Sequence, residues 1–475
     1  MSLSPTRKVW LNVTTSVHWK RPAVGVVRLE SMLAAELPKA FPDGRFGFCI
    51  WQEDRFVAWQ DQPEGRQPGD APLPATSPAD LIYPVLPPLE AVVAIVQGCL
   101  SLLPRVARPM ASRILRRARA WTETALQHVQ QAGRLRASRQ ACVPREAAGD
   151  EDCQPGCLNP GDVLISAGLD WDGNFYRAFA TLRSAHQVRI ITCCYDLIPL
   201  LFPQYVLANA AQRFGGYFID LAESSEAILC ISRRSEQDLL AFLDQTGSRP
   251  VRTHVIPLGD NVPGHTGDIS AAVIDISRER FILYVSTIER RKNHDILYKA
   301  YHLLGRDCNT DQLPQLVLVG MPGWGVADLL KDIELDPVVQ GRIRFLHHVT
   351  DAELSLLYEK AMFCVYPSLY EGWGLPVGEA LAMGKPLLAS GCGSLPEVGG
   401  DLVRYLDPWN AGEWAAAIRE WSTDDALRNR LADNIRRHYV PRSWAATAES
   451  VRRLIDDNLI EQGGDLQPAV NQRAP

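Results

Sequence analysis

The chain has 475 residues, 46% of them hydrophobic and 8% aromatic, with a formal net charge of −6 and a pI near 6.0. That length exceeds one ordinary domain and is ample for large buried cores, so two domains are the working expectation. The acidic balance excludes a general nucleic-acid binder, which would carry a basic surplus.

In chain order, strand-length apolar runs alternate with amphipathic helical segments: KVWLNV (8–13), RFGFCIW, DVLISA, VRIITCCYD, AILCIS and RTHVIPLG. After a variable connection, GDNVPGHTGDISAAVID, the alternation restarts with RFILYVS, QLVLVG, RIRFLHHV, FCVYPS, KPLLAS and LVRYLD. This pattern predicts an α/β protein with two doubly wound domains, each a parallel sheet covered by helices, facing one another across a cleft. The expected organisation is an N-terminal domain over 1–265, a C-terminal domain over 266–438, a crossover helix over 439–462 and a flexible tail over 463–475. Ligands of such sheets bind outside the carboxyl ends of the strands, which makes the cleft the expected site.

The segment from about 60 to 158 interrupts the first domain. It runs from a proline-rich loop through the apolar PPLEAVVAIVQGCLSLLP to a basic stretch, Arg105 to Arg145, with ten arginines against one acid, Glu123. Two readings stand: peripheral contact of 85–145 with an anionic membrane, or a helical hairpin packed on its own domain with a solvated basic face. The eleven cysteines fall largely in apolar runs and suit buried free thiols in a reducing compartment. Cys153 and Cys157 lack the second pair or the histidines of a zinc site. The first twenty residues lack the apolar core of a secretory signal, and no run reaches the roughly 18 apolar residues of a spanning helix. A cytoplasmic protein is expected, resting on or near the inner face of the membrane if the basic segment binds lipid.

The most informative stretch is PSLYEGWGLPVGEALAMGKPLLAS. A buried strand ends near Pro367, a loop carries Glu371, Gly372 and Gly374, and Pro376 is well placed to open a helix that Gly384 stops. The free N–H groups at that helix start form an anion site suited to a diphosphate, with Glu379 one turn further on, where a carboxylate accepts from a diol such as ribose. The bland alternative is that Glu371 solvates a loop and Glu379 complements the helix dipole. After the strand FILYVS come three cations, Arg290, Arg291 and Lys292, which either neutralise a leaving diphosphate or form a solvated face, the latter reading suiting Arg290 best. The loop SGCGSLPEVGG adds a glycine-rich turn at the same end of the sheet, with Ser394 as a helix-capping candidate.

Together with a late DPWNAGEWAAAI, these motifs cover nearly all of 281–421 in order and resemble the retaining GT-B glycosyltransferases of glycosyltransferase family 4, in the flavour of bacterial O-antigen and exopolysaccharide mannosyl- and rhamnosyltransferases. YDLIPLLFP, ILCISRRSEQDL and HVIPLG extend the likeness into the first domain, and YVPRSWAATAESVRRLIDDNL resembles the closing helix of that family. The resemblance implies a GT-B architecture and transfer of a hexose, with mannose from GDP-mannose as the leading choice, to a hydroxyl of a lipid-linked or growing surface glycan. It places Glu379 on the ribose, Glu371 beside the donor sugar, and Arg291 and Lys292 on the diphosphate. The backbones of Gly372, Trp373, Gly374 and Leu375 assist, and Gly25 approaches the phosphates from the first domain. Asp196 and Arg28 fall on the acceptor side. No metal and no cofactor are expected beyond the donor; Asp170 and Asp172 match the letters of a DxD metal motif but belong to the first domain. The expected acceptor is a glycan, with a polyprenyl diphosphate carrier fitting an enzyme on the inner leaflet.

Three positions depart from the family pattern. Ser286 and Thr287 replace a glycine and arginine, which shifts the first diphosphate cation to Arg291. Tyr195 stands where the subgroup has a histidine, so no catalytic role carries over there. His347 replaces the glycine of an FLG segment, and it and His348 are expected to be structural. Rival expectations on the same fold are a nucleotide-sugar epimerase or phosphorylase, and a catalytically silent scaffold of a glycan-assembly complex.

Overall fold

The structure, a computed structural model, describes residues 7–19, 25–60, 156–173, 175–206, 210–260, 267–307 and 313–460. The basic interruption, apart from its last three residues and residue 60, lies outside these, as do Cys153 and the tail.

Seven strands form the first sheet: β1 (Val9–Asn12), β2 (Phe46–Gln52), β3 (Arg55–Trp59), β4 (Val163–Ser166), β5 (Arg189–Cys194), β6 (Ala227–Cys230) and β7 (Arg252–Val255). Their order is β3-β2-β1-β4-β5-β6-β7, and every pairing except β2 with β3 is parallel. The second sheet holds β8 (Phe281–Val285), β9 (Gln315–Val319), β10 (Ile343–Leu346), β11 (Cys364–Tyr366), β12 (Leu387–Ser390) and β13 (Arg404–Leu406), all parallel, in the order β10-β9-β8-β11-β12-β13. Short strands with both faces covered need continuous apolar runs, and β1, β4, β6, β11 and β12 are buried at every position. Cys193, Cys194, Cys230 and Cys364 occupy such positions as buried free thiols.

Two features were not legible in the apolar pattern. The strand β3 forms a hairpin with β2 through Glu53 and Asp54, both with positive φ, at 47° and 58°. Such a two-residue turn is usually announced by glycine or asparagine, and here it is not. The connection between the sheets contains a helix, Ala271–Ser277, which buries Val273 and Ile276 and whose Ser270 N–H donates to Glu353 at 2.9 Å.

In each sheet the chain reverses direction of progress between its first strand and the fourth or equivalent, β1/β4 and β8/β11, opening a crevice at the carboxyl ends. The last helix, Trp444–Ile460, returns to pack along the helix Val26–Ala40 of the first sheet. Arg45 joins Asp456 at 2.8 Å, and Thr447 Oγ1 donates to the Pro257 carbonyl at 2.8 Å. Among the described residues no helix is long and apolar enough to cross a membrane.

Candidate active site

The loop after β8 turns through a short helical segment, Arg290–Lys292, and then through Asn293 at φ 59°. The Asn293 amide donates to the carbonyls of Pro367 at 3.1 Å and Pro408 at 2.8 Å, pinning this cationic loop to the loops that follow β11 and β13. Arg290 is exposed, whereas Arg291 and Lys292 turn inward with side chains only 14% and 12% exposed.

Inward they meet Glu371. Its Oε1 accepts from Lys292 Nζ at 2.5 Å, Ser368 Oγ at 2.6 Å and Tyr366 Oη at 3.3 Å, while Oε2 faces Arg291 at 2.9 Å. Arg291 also donates to Glu289 at 2.7 Å and to the Tyr370 carbonyl at 2.7 Å. Burial works to raise the Glu371 pKa, but the charges of Arg291 and Lys292, with hydrogen bonds from Lys292 and Ser368, outweigh it and hold the carboxyl at about 2. Burial, reinforced by the neighbouring Arg291 charge, lowers the Lys292 pKa. Glu371 is therefore neither loop solvation nor a lone acid; it is half of a buried, charge-balanced cluster.

The loop from Glu371 to Gly374 is wedged between its neighbours. A Cβ on Gly372 would stand 2.5 Å from the Tyr195 carbonyl and 2.9 Å from Asp196 Cβ, so only glycine lets the loop after β5 come this close. Gly374, at φ 102°, opens the helix Leu375–Ala382, with Pro376 as its second residue and Gly384 just beyond its end. Among the described residues no side chain caps that helix start, where Pro376 carries no N–H and the Val377 N–H donates to the Gly374 carbonyl at 2.9 Å. Ser394 does not act as a cap for its own helix, Leu395–Gly399; its hydroxyl donates to the carbonyls of Trp373 at 2.8 Å and Glu371 at 3.1 Å and so locks the glycine-rich loop in place.

Glu379 sits 3% exposed on that helix, with Oε2 accepting from Tyr358 Oη at 3.0 Å and Oε1 from Arg28 at 2.6 Å. Arg28 belongs to the helix Val26–Ala40, so the pair spans the two sheets. Gly25 precedes that helix at φ 53° with open space around it. Asp196 lies beside Gly372 and accepts from the Ile198 N–H at 2.9 Å; burial raises its pKa, and the Arg291 charge pulls it back in part. Glu371, Arg291, Lys292 and Asp196 thus converge, and Arg28 and Glu379 converge beside the neighbouring helix start.

Tyr195 points elsewhere, its hydroxyl donating to the Ala167 carbonyl inside the first domain. His347 Nδ1 is 2.6 Å from the Gly320 carbonyl, and it is His348, not His347, that takes left-handed backbone, at φ 57°. Several site residues went unread in the sequence. Glu289 adjoins three cations, and an acid beside a cation run is the ordinary signal of an internal counter-charge. Tyr370 accepts from Arg234 at 2.6 Å and donates to Asp238, and Glu397 accepts from the N–H groups of Arg233 and Arg234 at 2.9 and 2.8 Å. These contacts join the two domains across the cleft and have no local signature.

The Asp170/Asp172 pair does not share a face. Asp170 is 1% exposed and accepts from Ser166 at 2.8 Å, while Asp172 meets Arg213 at the surface. Among the described residues no group of three or more potential metal ligands clusters. Burial pushes Asp170 up to about 8 against its hydrogen bond from Ser166, and burial pushes nearby Glu30 up to about 7 against those from Ser16 and Thr15. Both carboxyls hold protons more tightly in the fold than in the unfolded chain, so their contribution to stability falls as pH rises from about 4 through 7 to 8. Asp170→Asn should flatten that decline, measured as urea midpoints at pH 5 and pH 8; parallel declines in variant and wild type would exonerate Asp170.

Residues 269–438 match the family model described as glycosyl transferases group 1. The chain is 30% identical over 260 residues to O-antigen chain mannosyltransferase B of Escherichia coli, covering 54% of this chain and 65% of that protein. It is 26% identical over 369 residues to the serotype-specific mannosyltransferase WbdA of Escherichia coli, covering 74% of this chain and 43% of that one. The matches therefore span less than two thirds of either relative. Sucrose-phosphate synthase from Thermosynechococcus elongatus superposes with a TM-score of 0.55 over 95% of this chain and 99% of that one, at 18% identity. The shared fold is the two-domain GT-B architecture.

Proposed function

Residues 269–438 belong to the glycosyl transferases group 1 family, and from that premise we propose that the chain is a retaining glycosyltransferase that moves mannose from GDP-mannose to a hydroxyl of a growing bacterial surface glycan. The observation that carries this reading is Glu371 buried between Lys292 and Arg291, at the carboxyl ends of β8 and β11 and beside an uncapped helix start. The choice of sugar and glycan rests on the two Escherichia coli mannosyltransferases.

In this reading the diphosphate lies at the start of the helix Leu375–Ala382, over the backbone of Gly372, Trp373, Gly374 and Leu375, with Gly25 opposite. Glu379 takes the ribose hydroxyls. Glu371 orients the sugar near its anomeric carbon, and Asp196 faces the acceptor from the first domain. The bond from the anomeric carbon to the diphosphate breaks as the acceptor oxygen bonds to the same face, and the acceptor proton passes to the departing phosphate oxygen. Lys292, oriented with Arg291 around Glu371, stabilises the charge that develops on the leaving group, so the reading needs no metal. Domain closure excludes water that would otherwise hydrolyse the donor. A polyprenyl-diphosphate-linked acceptor at the inner face of the cytoplasmic membrane completes the proposal.

The test is nucleotide release by the purified chain across GDP-, UDP- and dTDP-hexoses, with Glu379→Ala alongside. One donor consumed, with its binding weakened about tenfold or more in the variant, supports the assignment and names the sugar. No binding or turnover of any donor, with or without membrane lipid, leaves the scaffold reading.

A further inference from the structure

The helix Val26–Ala40 starts at Gly25 with no capping side chain among the described residues and no acid in its first turn. Its third residue is Arg28, a cation placed where the helix dipole disfavours one. Across from it, the helix Leu375–Ala382 also starts uncapped and without an acid in its first turn. The two helix starts are thus joined by the 2.6 Å contact between Arg28 and Glu379, whose side chains are 19% and 4% exposed. The guanidinium also lies over the ring of Trp444, 6.0 Å from its centre, which steadies the side chain.

The neighbouring cations have little charge to spare. Arg291 is opposed by Glu289 and Glu371, and Lys292 by Glu371. A diphosphate entering this cleft needs a further positive group, and Arg28 is a guanidinium whose counter-charge has a second use: in the transfer reading, on which this argument rests, Glu379 receives the ribose diol.

We propose that Arg28 is a donor-side residue that exchanges Glu379 for the diphosphate when a nucleotide sugar binds, while the ribose hydroxyls take its place on Glu379. One ligand thereby receives both halves of an ion pair that, without donor, ties the two domains together. Arg28 leaves the acceptor side, where its position in the first domain had put it, and becomes a sensor of an intact nucleoside diphosphate. A nucleoside alone must compete with Arg28 for Glu379 and offers the guanidinium nothing in return.

Titration calorimetry on the full chain with GDP, UDP, guanosine and uridine tests this in the wild type, Arg28→Ala and Arg28→Lys. Arg28→Ala should weaken the preferred nucleoside diphosphate about tenfold or more, the scale of a charge-assisted hydrogen bond. The matching nucleoside should bind Arg28→Ala as well as the wild type or better, and Arg28→Lys should retain part of the diphosphate affinity. An equal loss for both ligands would mean that Arg28 only props Glu379, and an unchanged diphosphate affinity would mean that it never leaves Glu379; either overturns the proposal. Should Arg28→Ala fold poorly, Glu379→Gln reads the exchange from the other side. Nucleoside affinity then falls while affinity for inorganic diphosphate is kept or rises, and a fall in the latter is equally fatal. A wild type that binds neither GDP nor UDP sinks the transfer reading and this inference with it; a responsive wild type with unresponsive variants sinks the inference alone.

Discussion

Lys292→Ala is expected to lower sugar transfer by about 10²–10³-fold, the usual cost of removing one preorganised charge from a site where negative charge develops. The Lys292 ammonium is fixed by Glu371 at 2.5 Å and Tyr366 at 3.2 Å, so it needs no reorganisation when a leaving group forms. Deleting it leaves Arg291 as the cation facing both Glu289 and Glu371, and the local balance turns negative where the proposed reaction seats a diphosphate. Glu371 keeps Arg291 and Ser368 as partners, which should preserve the fold. Lys292→Arg restores charge but not the compact ammonium geometry and should recover only part of the rate. Steady-state transfer with kcat and KM resolved is the measurement; a loss below tenfold would remove Lys292 from the charge-stabilising role.

Arg291→Ala should be the most destabilising single change in the cluster, by about 3–5 kcal/mol, because it strips the partner from buried carboxylates. Three contacts go at once, to Glu289, Glu371 and the Tyr370 carbonyl, and Glu289, with a side chain 4% exposed, loses its ion pair. The penalty has a pH signature. Without Arg291, burial at Glu371 is opposed by Lys292 and Ser368 but by one charge fewer, so that carboxyl rises from its wild-type level and the penalty of the variant shrinks as pH falls. In the wild type, with that group held at about 2, its contribution is present above the ordinary carboxylate range and is lost as pH falls towards 2. Denaturant unfolding of Arg291→Ala, Glu289→Gln and the double variant closes a cycle in which the double variant recovers much of the loss. A penalty under about 1 kcal/mol would class the contact with exposed ion pairs.

Much of the fold was legible because its signals are local. An apolar run of three or four residues, buried on both faces and bounded by turn residues, reads as a parallel strand, and Cys364–Tyr366 or Ala227–Cys230 need no distant partner to be recognised. The hairpin strand Arg55–Trp59 escaped because its turn residues, Glu53 and Asp54, carry no glycine. The same division runs through the candidate site. The uncapped helix start after Gly374 and the inward cations after β8 follow from residues near one another in the chain, and so does the presence of Glu371 beside them.

The partners of those residues are another matter. Ser394 is a cap candidate in the sequence and instead tethers the Glu371 loop, and Arg28, expected on the acceptor side, meets Glu379, 351 residues away. The sequence by itself determined the two sheets, the helix starts at the cleft and the residue types gathered there, since propensity, periodicity and turn chemistry act over a few residues. Only the tertiary structure decided which carboxylate neutralises which cation: burial makes an unpaired charge too costly to leave alone, and the partner that relieves it comes from whatever strand end the fold brings within reach.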